Sequence, residues 1–190
     1  MVDQSRFALR PIQADDDTGK LSLGLSAYTP LKIFLQKNAV DFHRYQLAKT
    51  YVLIDLEHLP TRVWGYITLM SSEILLKDGQ RPTETAAASA YRGFPAIKIA
   101  RLALDKRLQG QGYGAMILDW CFNHVKLAVM PHVGCRFMMV DAKQDSVGFY
   151  QKAGFVLLDA DSIEDHPQMF YDLYKEEGGL VQETVDAIGF

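Results

Sequence analysis

Hydrophobic and polar positions along the chain predict strands and helices in mixed order. Short apolar runs rich in β-branched and aromatic residues predict strands, whereas apolar residues spaced by three or four positions predict helices. The predicted strands cover residues 6–12, 50–55, 63–76, 96–105 and 135–142, and two weaker ones cover 155–159 and 168–175. One or two helices are predicted within 28–51, a long one from 112 to 130, and a short one over 144–154. This order indicates an α/β or α+β fold with one sheet.

The loops are as informative as the regular elements. Segment 77–93 is the least regular part, and we expect an inserted loop with a short helix there. The short helix has Asp145 or Ser146 as its expected N-cap and Gly154 as its stop. Strands 50–55 and 63–76 are separated by turn residues and therefore predict a hairpin.

Composition fits a soluble protein with one domain of ordinary size. Of the 190 residues, 48% are hydrophobic and 23% charged. The chain contains no apolar run of the roughly 18 residues needed to cross a bilayer and no signal-peptide pattern, so a cytoplasmic location is expected. Cys121 and Cys135 lack metal-finger spacing and are expected to be reduced, partly buried thiols.

Charge is distributed unevenly. The net charge is −3, yet residues 159–190 hold nine acidic residues and one basic residue, a balance of −8. The preceding 158 residues carry +5. A mildly basic body permits a polyanionic ligand without requiring one.

Three glycines precede the long predicted helix within the stretch RLQGQGYGAMIL, residues 107–118. A helix N-terminus offers unpaired N–H groups and a partial positive charge, and glycines allow phosphate oxygens to approach them. Lys106 and Arg107 would add positive charge. The alternative is a connection that only needs positive φ angles. The spacing fits neither a Walker loop nor a dinucleotide fingerprint.

Other catalytic chemistries find little support in the sequence. The five histidines show no metal-binding spacing, and no G-x-S-x-G motif is present. The two cysteines lie within a helix pattern and at the start of a strand, where an activated nucleophile is not expected. We therefore predict no metal.

Two motifs resemble those of the GNAT superfamily of N-acetyltransferases. QGQGYG (109–114) resembles its Gln/Arg-x-x-Gly-x-Gly/Ala signature, and VGFYQKAGF (147–155) resembles its second signature, some thirty residues later. The resemblance extends over 7–174. The segments at 31–55, 65–69, 94–114 and 140–155 resemble most closely a bacterial branch that includes toxins acetylating aminoacyl-tRNA. These toxins are usually basic overall, unlike this chain.

The resemblance implies an acyl-CoA acyltransferase fold with a mixed, mostly antiparallel sheet flanked by helices. It implies acetyl-CoA as donor, held through the backbones of residues on a strand and in the glycine loop: Leu102, Ala103, Leu104, Gln109, Gly110, Gln111, Gly112, Tyr113 and Gly114. Lys143 lies where many members of the family have an asparagine that binds the coenzyme. It is expected either to contact the coenzyme or to be solvated. Arg101 is expected to line the acceptor site or to form a structural ion pair.

The implied reaction is direct attack of a neutral amine on the thioester. Tyr150 matches the tyrosine that commonly protonates the leaving thiolate, although without the motif it would be interpreted as a core aromatic residue. A general base is not identifiable. Four residues are candidates by type, each with the alternative of an ordinary surface position or of water-mediated deprotonation: Asp55, Glu57, Glu73 and His166.

The acceptor stays open at this point. Aminoacyl-tRNA would make the protein a toxin paired with an antitoxin, whereas a small-molecule or protein amine would make it an ordinary acetyltransferase. A non-catalytic acyl-CoA sensor is a further alternative. We expect an acetyltransferase domain over residues 1–175, an acidic tail over 176–190, no membrane association, and a homodimer as one candidate assembly.

Overall fold

The computed structural model describes residues 6–161 and 164–174. Over these residues the chain forms a seven-stranded sheet and five α-helices. The strands are β1 Phe7–Pro11, β2 Lys49–Asp55, β3 Val63–Leu75, β4 Gly93–Leu104, β5 Phe137–Asp141, β6 Val156–Leu157 and β7 Gln168–Asp172. The helices are α1 Thr29–Lys37, α2 Ala39–Arg44, α3 Ala86–Ala90, α4 Tyr113–Ala128 and α5 Val147–Lys152.

The sheet has the strand order β1-β2-β3-β4-β5-β7-β6. β1 with β2, β2 with β3, β5 with β7 and β6 with β7 are antiparallel pairs. β4 and β5 are parallel and pair through Ala96–Lys98, while β4 itself continues to Leu104. The predicted fold class, a mixed and mostly antiparallel sheet flanked by helices, is confirmed.

The first of two compact units contains the chain up to Met70 together with Ile99–Asn123. Its β2 residues alternate between two helical layers. Val52 and Ile54 join an apolar cluster with residues of α1 and α2, whereas the ring of Tyr51 lies 4.8 Å from that of Trp120 on α4. Burial on both faces explains why β2 is apolar at four successive positions, 51–54.

The second unit contains Ser71–Lys98 and the chain from His124 onward. Its core is aromatic: the ring of Phe137 on β5 lies 5.9 Å from Phe94 and 6.0 Å from Phe170. Arg136 forms ion pairs with both Glu84 and Asp172 and so attaches the inserted loop after β3 to β7. Within this loop, Thr85 caps α3 by accepting a hydrogen bond from the N–H of Ala88 at 3.0 Å.

The local predictions agree with the structure except at element ends. The predicted strand at 155–159 is only two residues long, and the strand predicted from Cys135 begins at Phe137. Ser146 is the N-cap of α5 as expected, but its hydroxyl donates to the Asp145 carboxylate instead of capping the helix. Gly154 ends the helix with φ +89°, a conformation that glycine adopts without strain.

In the described part of the chain, each helix is too short or too polar to span a membrane. The division into a domain at 1–175 and an acidic tail at 176–190 stays a prediction, and the tail lies outside the described residues.

Candidate functional site

The glycine-rich segment forms the connection from β4 to α4 in the first unit. Gly110 has φ +74° and Gly112 has φ +88°, both in the left-handed region that favours glycine. Gly114 lies in the first turn of α4. A Cβ added to Gly110 would meet no atom within 4 Å, so the space around this turn is open. The turn geometry therefore explains two of the three glycines.

This connection presents backbone donors to solvent. Among the described residues, the N–H groups of Gly110, Gln111 and Gly112 donate to no protein acceptor. They come directly before α4, a helix of 16 residues whose own first N–H groups point the same way along its axis. Free amides and a helix N-terminus together suit an anionic group such as a diphosphate. We call residues 109–114 the amide cradle.

The two glutamine side chains of the amide cradle donate hydrogen bonds to backbone carbonyls that precede it. The amide of Gln109 donates to the Leu104 carbonyl at 2.8 Å, and that of Gln111 donates to the Arg107 carbonyl. Tyr113 is buried, and its ring lies 5.0 Å from Phe7 in an edge-to-face contact. The glutamines therefore shape the cradle, and the backbone is the part left to bind a ligand.

Lys106 and Arg107, just before the cradle, were both expected to add positive charge, and the structure differs at Arg107. The guanidinium of Arg107 donates two hydrogen bonds to the Asp105 carboxylate, at 2.8 and 2.7 Å. Lys106 and Arg107 are both exposed, but the positive charge of Arg107 is already paired with Asp105, whereas Lys106 has no carboxylate partner among the described residues. Asp105 is fully buried, and sequence analysis missed it. An acidic residue directly after a predicted strand and before a basic pair was the available signal.

Residues 101–104 of β4 belong to the same unit as the cradle. Ala103 is buried in the apolar cluster of that unit, and Leu102 and Leu104 are partly exposed. Arg101 forms no ion pair with another described residue; its guanidinium carbon lies 3.6 Å from the ring centroid of Phe34. Among the described residues α1 supplies an aromatic ring instead of a carboxylate beside Arg101, which disfavours the alternative of a structural ion pair.

Tyr150 and Lys143 belong to the second unit. Tyr150 is buried on α5, with its ring 5.1 Å from Phe149 and 5.4 Å from Phe155. Lys143 is partly exposed and precedes the short 3₁₀ turn at Gln144–Ser146. The aromatic packing explains how the ring of Tyr150 is fixed, and its role and that of Lys143 stay predictions.

The four candidate bases have different surroundings. Asp55 is buried and accepts hydrogen bonds from Arg6 and from the N–H groups of Glu57 and His58, so describing it as a surface residue was wrong. The hydrogen bonds from Arg6 lower the pKa of Asp55 despite its burial, which makes it a poor base. Glu57 and His166 are exposed, and Glu73 lies against Gly93.

The cysteines are free and buried, as expected for reduced thiols. Burial raises the pKa of Cys121 to about 12 and that of Cys135 to about 11, so neither is a thiolate near neutral pH. In the described part of the chain, no group of three or more His, Cys, Asp or Glu side chains is placed to hold a metal ion.

Comparison with known proteins identifies the class of enzyme. A model of the GNAT acetyltransferase domain matches residues 71–157, which contain the cradle and the motif around Tyr150. The predicted resemblance to the GNAT superfamily is confirmed over these residues. The predicted enzyme class, an acetyl-CoA-dependent N-acetyltransferase, is likewise confirmed.

Solved structures of similar fold come from the predicted branch. A Tyr-to-Phe mutant of the AtaT toxin, bound to the C-terminus of the antitoxin AtaR and acetyl-CoA, is 27% identical with a TM-score of 0.70, covering 90% of this chain and 96% of that one. A Tyr-to-Phe mutant of KacT is 25% identical with a TM-score of 0.74, covering 90% and 98%.

A third structure, AtaT complexed with acetyl-methionyl-tRNAfMet, is 24% identical with a TM-score of 0.69, covering 97% of this chain and 99% of that one. At this identity the likeness shows the fold alone. The AtaT and KacT mutant structures confirm the resemblance of this acetyltransferase to the toxin-like branch.

Proposed function

We propose that this acetyltransferase transfers an acetyl group from acetyl-CoA to the α-amino group of an aminoacyl-tRNA and acts as the toxin of a toxin–antitoxin pair. The observation that carries the proposal is the likeness of fold over 90% of the chain to AtaT, which was solved with an antitoxin segment and acetyl-CoA. The complex of AtaT with acetyl-methionyl-tRNAfMet supports aminoacyl-tRNA as the proposed acceptor class.

The residues of the amide cradle fit a diphosphate. The unpaired N–H groups of Gly110, Gln111 and Gly112 and the N-terminus of α4 are donors, and the glycines leave room for phosphate oxygens. Gln109, Tyr113 and Gly114 complete the cradle, with Gln109 and Tyr113 fixing its two ends through Leu104 and Phe7. Acetyl-CoA supplies the activated acetyl thioester when bound.

The end of β4 is assigned to the pantetheine arm. Leu102, Ala103 and Leu104 lie beyond the residues of β4 that pair with β5, and an extended amide chain can add to a strand through backbone hydrogen bonds. Gly65 supports this strand closely, since a Cβ there would come within 2.9 Å of the Ala103 carbonyl oxygen. The backbone of 102–104 is therefore held in place from the β3 side.

Tyr150 is assigned as the general acid. In the reaction the neutral amine nitrogen forms a bond to the acetyl carbon, the carbon–sulfur bond breaks, and the Tyr150 hydroxyl gives its proton to the departing sulfur. The nitrogen loses one proton to water as the amide forms, and the tyrosinate regains a proton from water. An α-amine, with a pKa near 8, loses its proton to water more readily than a lysine near 10.4, so an aminoacyl acceptor needs no dedicated base. Two of the three structures cited above, one of AtaT and one of KacT, are Tyr-to-Phe mutants, in accord with an important tyrosine.

Acetyl transfer to defined acceptors tests the proposal. Acetyl-labelled acetyl-CoA is incubated with the protein and aminoacyl-tRNA, deacylated tRNA, or a panel of polyamines and lysine peptides. We expect label only on aminoacyl-tRNA, released with the amino acid when the ester is cleaved by mild base. Label on a small amine or peptide instead would overturn the acceptor assignment, and acetyl-CoA binding without transfer to any acceptor would favour a sensor.

A further inference from the structure

Asp105 occupies an unusual position directly before the amide cradle. It is fully buried, and its carboxylate accepts four hydrogen bonds: from the N–H of Ser22 at 3.0 Å, and from the backbone N–H, Nε and Nη2 of Arg107 at 3.0, 2.8 and 2.7 Å. Burial alone would raise the pKa of Asp105, but these hydrogen bonds lower the pKa to about 2. The group is therefore an anion under ordinary conditions.

The partner of Asp105 is fixed in turn by an aromatic ring. The guanidinium carbon of Arg107 lies 4.6 Å from the ring centroid of Trp64 on β3, and the Trp64 carbonyl accepts the N–H of Asp105 at 2.8 Å. The Arg107 carbonyl accepts the side-chain amide of Gln111 in the cradle. A continuous set of contacts therefore joins β3, Asp105, Arg107 and the cradle.

We propose that Asp105 is a positioning residue for the cofactor: by clamping Arg107 against Trp64, it holds the backbone of the amide cradle in the conformation that directs its N–H groups toward the diphosphate. The inference rests on the proposed binding of acetyl-CoA at residues 109–114. Asp105 acts through Arg107 and Gln111 and needs no contact with the cofactor itself.

The direction in which Asp105→Asn changes the affinity for acetyl-CoA distinguishes a positioning role from simple charge repulsion. Asp105 is an anion close in sequence to a site for a polyanionic ligand, so removing its charge should strengthen binding if only Coulomb forces matter. If Asp105 positions the cradle, Asp105→Asn weakens binding despite the lost repulsion. Arg107→Lys tests the same link at constant charge, because lysine cannot form the bidentate, planar pairing with a carboxylate.

The chain contains a matched control in the same unit. Asp55, at the end of β2, is also buried and accepts two hydrogen bonds from an arginine, Arg6, together with two backbone N–H groups. Arg6 and Arg107 are similarly exposed, at 40% and 45% of the side chain. Asp55→Asn and Arg6→Lys therefore remove an equivalent ion pair at the β2–β3 turn. Phe7, which packs on Tyr113 of the cradle, keeps its backbone pairing with β2 in both variants.

The experiment is a calorimetric titration of acetyl-CoA into the wild type and these four variants, with circular dichroism to check folding. We expect the Kd to rise by roughly tenfold for Asp105→Asn and Arg107→Lys, the lower end of the loss seen when an outer-shell hydrogen-bond partner is removed. The two controls should keep the wild-type Kd.

Tighter or unchanged binding by Asp105→Asn and Arg107→Lys would overturn the inference while leaving the cradle assignment intact. Equal weakening in all four variants would also overturn it, because the cause would then be general destabilisation. If Asp105→Asn does not fold, Arg107→Lys decides alone, since its side chain lies at the surface. A wild-type protein that fails to bind acetyl-CoA would remove the proposed function, and this inference with it.

Discussion

The guanidinium carbon of Arg101 lies 3.6 Å from the ring centroid of Phe34, and this cation–π contact takes the place of an ion pair. A partly buried arginine without a carboxylate keeps its hydrogen-bond donors available for an anionic ligand. Because the sequence predicts that Arg101 lines the acceptor site, we expect its substitution to affect the acceptor and not the coenzyme.

We expect Arg101→Gln to raise the KM for the acceptor by about tenfold to a hundredfold, the usual cost of one hydrogen bond to a charged group, with an unchanged Kd for acetyl-CoA. Arg62→Gln is the matched control, because Arg62 also stacks on an aromatic ring, that of Trp64 at 4.2 Å. Equal effects in steady-state kinetics of both variants would argue against an acceptor role for Arg101.

Tyr150→Phe removes only the proposed proton donor. The ring contacts with Phe149 and Phe155 remain possible, so the fold and the binding of acetyl-CoA should be retained. We expect kcat to fall by about 100-fold or more, as is usual for loss of a general acid. The control is Tyr171→Phe, which changes an equally buried tyrosine of β7. A parallel loss of coenzyme affinity and turnover would contradict the assigned role.

Acid pH should destabilise the fold through carboxylates paired with arginine. Hydrogen bonds from Arg136 lower the pKa of Glu84 to about 2. Because the pKa is lower in the folded state than the value near 4.3 of an unfolded chain, the stabilisation is complete above that value and is lost as the pH falls toward 2.

Urea unfolding between pH 7 and pH 2.5 measures this effect. Glu84→Gln should be less stable than the wild type at pH 7 and should lose less of its remaining stability on acidification. Glu57→Gln, which changes an exposed carboxylate, should follow the wild-type curve. A Glu84→Gln curve parallel to that of the wild type would mean that the Arg136 pair contributes nothing to acid sensitivity.

The two cysteines should be inert in the native protein. Both thiols are buried, and burial raises the pKa of Cys121 to about 12 and that of Cys135 to about 11. Because the thiolate is the reactive form, iodoacetamide at pH 8 should modify neither residue in the folded protein and both in urea. Mass spectrometry of the alkylated chain measures this, and rapid modification of a native cysteine would show that its site opens to solvent.

Local patterns were sufficient to predict most of the fold. Apolar periodicity located β2, β3 and α4 to within about two residues and β4 to within three, because these elements bury one or both faces. β6 was predicted too long, since the apolar run 155–159 is divided between Phe155, which packs in the core, and the exposed Val156. Sequence spacing alone cannot show which apolar residues reach a strand partner.

The part of the site that requires positive φ angles was predictable, because such angles favour glycine in the sequence. Gly110 and Gly112 are glycines because their φ angles are positive, and this made the cradle visible. The burial of Asp105 was not predictable, because it depends on Ser22 and Trp64, which are distant in sequence. Its pairing with Arg107 joins residues only two positions apart and lay within reach of the sequence.

The amide cradle is the central claim, and substitution of Gly112 tests it most directly. Gly112→Asp would place bulk and negative charge where the diphosphate is proposed to bind. Gly79→Asp is the matched control, since Gly79 has φ +83° and open space around it, so the backbone strain is similar. In a calorimetric titration with acetyl-CoA, the wild type and Gly79→Asp should bind equally and Gly112→Asp should lose binding. Unchanged affinity in Gly112→Asp would contradict the location of the cofactor site.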